Sequence, residues 1–156
     1  MTDRALYGKY RGTVTQVDAA TMRIKAKVTA LNGLESGWAL PCVPYAGDSV
    51  GFAFLPEKDA AVWIEFEQGD SSYPIWTGGF WLKDQAPSEA APDVKVIVTK
   101  KHKLLLDDKD DSITIQDSNG NSVKLDSDGI TLSRGSQTVK VKDSEVSVND
   151  GALKIV

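Results

Sequence analysis

Ile113-Thr114-Ile115-Gln116-Asp117-Ser118-Asn119-Gly120-Asn121-Ser122-Val123-Lys124-Leu125-Asp126-Ser127-Asp128-Gly129-Ile130-Thr131-Leu132 carries the pattern that decides the fold. Two apolar residues flank one polar residue, turn formers follow, and the unit begins again. Working outward, the same unit recurs at Val96/Val98, Leu104/Leu106, Ile113/Ile115, Val123/Leu125, Ile130/Leu132, Val139/Val141, Val146/Val148 and Leu153/Ile155. Each unit reads as a short strand with one apolar face, closed by a turn. A near-regular repeat of this kind decides architecture before any single residue does. The segment 96–156 contains no aromatic residue, Met, Cys or Pro, so nothing bulky fills a wide interior. A narrow core of Val, Ile and Leu suits several identical chains around one axis. The reading is an intertwined triple-stranded β-helix, a homotrimer, with the first seven pairs as the trimer core. Winding chains together also hides strand edges that would otherwise aggregate. A single-chain β-solenoid or an ordinary sandwich is the competing reading of the repeat.

The chain has 156 residues and a net charge of −4. Residues 1–93 hold 8 basic and 12 acidic residues, and residues 94–156 hold 10 of each, so the imbalance lies in the first part. No basic field attracts a nucleic-acid backbone. The cluster Lys100-Lys101-His102-Lys103 is followed by Asp107, Asp108, Asp110 and Asp111, and reads as a solvated turn that compensates its own charge. No apolar run is long enough to span a membrane as a helix. Met1-Thr2-Asp3-Arg4 leads into polar sequence rather than an apolar signal core, so synthesis in the cytoplasm without a signal peptide is expected. The single Cys42 permits no disulfide within the chain.

Every Trp, Tyr and Phe lies before residue 82. Gln85-Ala86-Pro87-Ser88-Glu89-Ala90-Ala91-Pro92 has linker composition. The expected organisation is a barrel domain over 1–84, a linker over 85–95 and the repeat over 96–156. Strands are expected at 7–17, with Gly8 and Gly12 permitting bulges, then at 22–29, 49–55, 61–67 and 73–81, with a long loop over 31–48. Five strands with glycine at sharp bends indicate an all-β, OB-type Greek-key barrel. On the fourth strand Val62, Ile64 and Phe66 point to the core. Trp63 points outward beside Glu65 and Glu67, and an outward aromatic marks a protein contact.

The run from Leu55 to Trp81 has Pro56, then Val62-Trp63-Ile64-Glu65-Phe66, then Gly69-Asp70, Pro74-Ile75 and Gly78. It resembles the OB domain of the central spike proteins of contractile injection machines: the phage baseplate assembly V type, the VgrG proteins of type VI secretion and the spikes of extracellular injection systems. Gly8-Lys9-Tyr10-Arg11-Gly12-Thr13-Val14 resembles that domain's opening strand. The resemblance covers about residues 5–82 and implies a trimeric, membrane-puncturing structural spike. Three barrels then form a collar and three repeat segments a rigid needle, assembled into the baseplate of a virion or injection particle. Trp38, Tyr45, Trp63 and Trp81 become candidate contacts to the baseplate hub, to tail-tube proteins or to a neighbouring subunit. Leu153, Ile155 and Val156 become a platform for a tip protein of the PAAR class. The short linker leaves no room for the lysozyme domain that some relatives insert, and the lone His102 lies far from the tip where some relatives bind metal.

No catalytic set, cofactor or metal site is expected. The chain has one His and one Cys, and nothing in the sequence forms a cleft around Glu65 and Glu67. Asp117, Asn119 and Asn121 match the start of a calcium loop, but Ser122 stands where Gly is needed and Asp128 where Glu is needed, so the stretch reads as a polar turn. The alternative function is an OB module binding an oligonucleotide or oligosaccharide, with a β-rich oligomerisation tail. An acidic barrel half without alternating aromatic and basic residues counts against nucleic acid.

Overall fold

A computed structural model describes residues 5–155 of the chain. It is built from strands and short 3-10 turns and divides into two compact units, residues 1–85 and 86–156.

In the first unit β1 (Tyr10–Asp18) and β2 (Arg23–Val28) form a hairpin. Asp18 tightens its turn by accepting the Ala20 N–H at 3.0 Å and the Thr21 hydroxyl at 2.6 Å. Three two-residue strands follow: β3 (Leu40–Pro41), β4 (Ala46–Gly47) and β5 (Val50–Gly51). The last two strands of the unit are β6 (Ala61–Phe66) and β7 (Pro74–Gly79), and the sheet order is β2-β1-β6-β7-β3. The barrel closes because residues 34–39, just before β3, run antiparallel to β2. Ala39 donates to the Ile24 carbonyl at 2.8 Å and Ser36 to the Ala26 carbonyl at 2.8 Å, while β3 pairs parallel with β7. Inside sit Val14, Ile24, Ala26, Val28, Ala39, Val62, Ile64, Phe66 and Trp76, all buried. The Trp76 indole N–H donates to the Met22 carbonyl at 3.2 Å, which satisfies its polar atom as burial requires.

Two details differ from the sequence reading. The fifth barrel strand is the 34–41 segment rather than 49–55, because β5 pairs only with β4 in a separate ribbon. The bulge in β1 falls at Thr15, between the Val14 and Gln16 pairings. Gly12 instead allows close packing, since a Cβ there would lie 3.1 Å from the Ile64 side chain. The Gly69-Asp70 and Gly78 positions act as their residue types suggest. Asp70 accepts the Ser72 N–H at 2.8 Å, and Gly78 (φ +114°) sits where the β6–β7 register shifts.

The second unit is an eight-stranded antiparallel meander in which each strand pairs with its chain neighbours. Its strands are β8 (Val94–Val98), β9 (His102–Asp107), β10 (Ser112–Asp117), β11 (Asn121–Asp126), β12 (Gly129–Arg134), β13 (Gln137–Val141), β14 (Val146–Val148) and β15 (Leu153–Ile155). Because β8 starts at Val94, Val94 and Lys95 are strand residues rather than linker. Gly129 (φ +121°) enters β12 where an added Cβ would overlap the Val141 carbonyl, so only glycine fits.

Candidate assembly interface

Antiparallel pairing in register places alternate residues of the meander on two faces. One face carries the ladder Leu104–Ile115–Val123–Leu132–Val139–Val148–Leu153 and, beside it, Leu106–Ile113–Leu125–Ile130–Val141–Val146–Ile155. Seven of the eight apolar pairs thus share one surface. The other face carries Thr114, Lys124, Thr131, Lys140 and Ser147 in a row.

The first pair needs correction. Val96 pairs with Leu105 and Val98 with Lys103, so both valines lie on the opposite face from Leu104 and Leu106, and Lys95 and Ile97 take the positions beside the apolar ladder. The cause is the turn after β8. It closes with the Thr99 N–H on the His102 carbonyl at 2.8 Å, and the Thr99 hydroxyl accepts the His102 N–H at 3.0 Å. A turn that moves the register by one residue flips every side chain of the strand.

Among the described residues nothing covers the apolar face. Ile115 is 53% exposed, Leu132 46% and Leu153 57%. Every buried hydrophobic residue among the described ones lies between Val14 and Trp76, in the barrel. An amphipathic antiparallel sheet normally packs one face on a core. Here a single chain supplies the sheet without the core. Leu153 and Ile155, expected as a docking platform, continue the same face, and Val156 lies outside the described residues.

The barrel presents the other candidates on separate elements. Trp63 is half-buried rather than fully exposed, because Phe80 packs on it with ring centroids 4.7 Å apart and the Arg11 guanidinium lies 5.9 Å from its centroid. Glu65 beside it holds Lys9 at 2.6 Å. Trp38 stands in the closing segment with the Lys25 ammonium 5.1 Å over its ring. Tyr45 begins the β4–β5 ribbon, and Trp81, 68% exposed, follows β7. Sequence reasoning missed Val50, Phe52 and Phe54. Their alternation looked like a barrel strand, yet they are exposed on or beside the ribbon, with the two Phe rings stacked at 6.3 Å.

The turns of the meander are held by their own carboxylates. Asp117 accepts the Asn121 side-chain amide at 2.6 Å and the backbone N–H groups of Asn119 and Asn121 at 2.8 and 2.9 Å. These bonds, the Asn121 amide first, hold its carboxyl below the usual range. Its oxygens are thus committed to closing the turn, in keeping with the reading of this stretch as a turn. Lys124 lowers Asp126 and Lys140 lowers Asp150 in the same sense, through pairs at 2.9 and 2.6 Å. Carboxyls depressed in the folded state stabilise it above the unfolded value near 4 and lose that contribution as pH falls through the folded value. Heat denaturation of the meander is therefore expected to shift to lower temperature below about pH 4. The shift is expected to be smaller in Asp117→Asn, measured by circular dichroism at pH 7 and pH 3. An equal acid shift in the variant would show that the turn carboxylate plays no part.

Comparison with protein families gives two matches. Residues 10–81 match the type VI secretion system and phage-baseplate injector OB domain, and residues 94–154 match the phage baseplate V C-terminal trimerisation domain. Together the matches span most of the chain, and the protein belongs to the phage baseplate V family, as a structural baseplate protein of the spike type. Its self-association is that of a homotrimer. Comparison with curated proteins gives no match.

Proposed function

We propose that this chain is the membrane-puncturing central spike of a contractile injection system: a phage tail baseplate, an extracellular injection particle or a type VI-like apparatus. The observation that carries the reading is the apolar ladder from Leu104 to Ile155, which has no covering layer among the described residues. Three such sheets, apolar faces inward, enclose the missing core as a β-helical prism. Eight strands spaced about 4.8 Å apart give a prism roughly 40 Å long. Its work is mechanical, to stay narrow and stiff under thrust, and it needs no catalytic group. Trp38, Tyr45, Trp63 and Trp81 serve contacts to hub or tail-tube proteins or between subunits. Leu153, Ile155 and Val156 serve a PAAR-like tip protein.

Electron cryomicroscopy of the particle that carries the chain tests this. The expected result is a threefold density on the particle axis at the baseplate centre, with the 94–156 segment pointing away from the tube. A position off the axis, or a stoichiometry other than three, would sink the reading.

A further inference from the structure

The sequence places four lysine-rich residues and four aspartates close together, but the fold separates them. Strand β9 runs between them, about 16 Å end to end at about 3.3 Å per residue. Lys100 and Lys101 lie in the turn before it, and Asp108, Asp110 and Asp111 in the turn after it. The same division continues along the sheet. One edge of turns, residues 107–111, 126–129 and 142–145, holds eight acidic residues and two basic ones. The other edge, residues 99–102, 117–121, 134–137 and 149–152, holds three basic residues, Lys100, Lys101 and Arg134, and two acidic ones. Those two acids already serve their own chain, Asp117 in its turn and Asp150 with Lys140 at 2.6 Å. On the acidic edge Asp108 and Asp126 likewise pair with Lys95 at 2.7 Å and Lys124 at 2.9 Å, so its charge excess rests on Asp110, Asp111, Asp128 and Asp143.

Within one chain these edges cannot neutralise each other. Resting on the prism reading above, we infer that they meet between chains, and that the acidic turn edge of one subunit interlocks with the basic turn edge of the next. Threefold symmetry requires such a meeting. Each sheet of a closed ring presents its left edge to its neighbour's right edge, so unlike edges always adjoin. Rotation about the axis adds no shift along it. Turns on the two edges alternate by one strand, so each turn of one chain falls between two turns of the next, about 4.8 Å above and below. The turn after β12 then places Arg134 between the neighbour's 126–129 and 142–145 turns. Lys101 comes within side-chain reach of Asp110 and Asp111. Pairing sheets with acidic edge on acidic edge is penalised by like charge. The charge pattern thus favours the closed ring over pairings of like edges, and the symmetry of that ring sets its axial register.

Disulfide trapping tests this. Arg134→Cys with Asp128→Cys, in a Cys42→Ser chain, places two thiols at opposite ends of β12, too far apart to join within one chain. The expected product on mild oxidation is a covalent trimer on a non-reducing gel. Charge reversal gives a second readout. Arg134→Glu is expected to dissociate roughly tenfold faster than the parent at low salt, with the difference shrinking at high salt. Adding Asp128→Lys and Asp143→Lys is expected to restore the rate. Absence of cross-linked trimer, or additive rather than compensating charge changes, would overturn the edge pairing while the parent remains a trimer by light scattering. A monomeric parent would instead remove the prism itself.

Discussion

An Ile115→Asp, Leu132→Asp double variant is expected to run as a monomer of about 17 kDa, where the parent runs near 51 kDa, three times 16.9 kDa. Ile115 of β10 and Leu132 of β12 lie in one apolar ladder, on either side of Val123 of β11, with which both pair. In the single chain both are about half exposed, so carboxylates there cost the folded sheet little. In a trimer they would place six unpaired negative charges in one shared core. Each uncompensated buried charge costs several kcal/mol, and the six repel one another. Light scattering gives the mass, and circular dichroism shows whether the strands persist. A trimer that survives both changes would mean the apolar face is not the contact. Thr131→Asp, on the polar face of β12 between Lys124 and Lys140, is the control and is expected to leave the trimer intact.

Ile64→Ala is expected to destabilise the barrel by about 2–5 kcal/mol, the range for deleting a large aliphatic side chain from a close-packed core. Ile64 is fully buried, and Gly12 of β1 packs over it closely enough that a Cβ at Gly12 would sit 3.1 Å from its side chain. A barrel this small has little capacity to collapse into the space left. The chain provides a clean readout, because all four Trp lie between residues 38 and 81. Tryptophan fluorescence in denaturant therefore follows the barrel alone, and Trp76 in the core reports its loss. An unfolding free energy unchanged within about 1 kcal/mol would mean the site relaxes without cost.

How much of this was legible depended on whether a residue's role was local. The one-apolar-face character of β9 to β15 could be read directly, since alternation and turn chemistry fix it within six or seven residues. The barrel's β1, β2, β6 and β7 were legible for the same reason, as were Gly69-Asp70 and Gly78. The failures all involve pairing partners. Val96 and Val98 alternate as well as any later pair, but the closure of the Thr99–His102 turn decides their face. Val50, Phe52 and Phe54 alternate like a core strand, yet 34–41 occupies the place in the barrel that they would need. Trp63 points outward as its position suggested, but Phe80 and Arg11, remote in sequence, cover its ring. The charge division of the meander was hidden most completely. Along the chain Lys100 to Lys103 and Asp107 to Asp111 look like mutual neighbours, and only the length of β9 shows that they face opposite ways.

The pairing of each strand only with its chain neighbours has a mechanical consequence. Hydrogen bonds in the meander run along the direction in which β8 to β15 stack. In the proposed prism that direction is the direction of thrust. A push presses the rungs together and loads all three sheets like stacked columns. A pull acts on the same bonds in tension, and the short terminal strands β14 and β15, three residues each, offer the fewest to break. The prism is therefore strong on the way in and peels from its tip when drawn back, a one-stroke tool by construction.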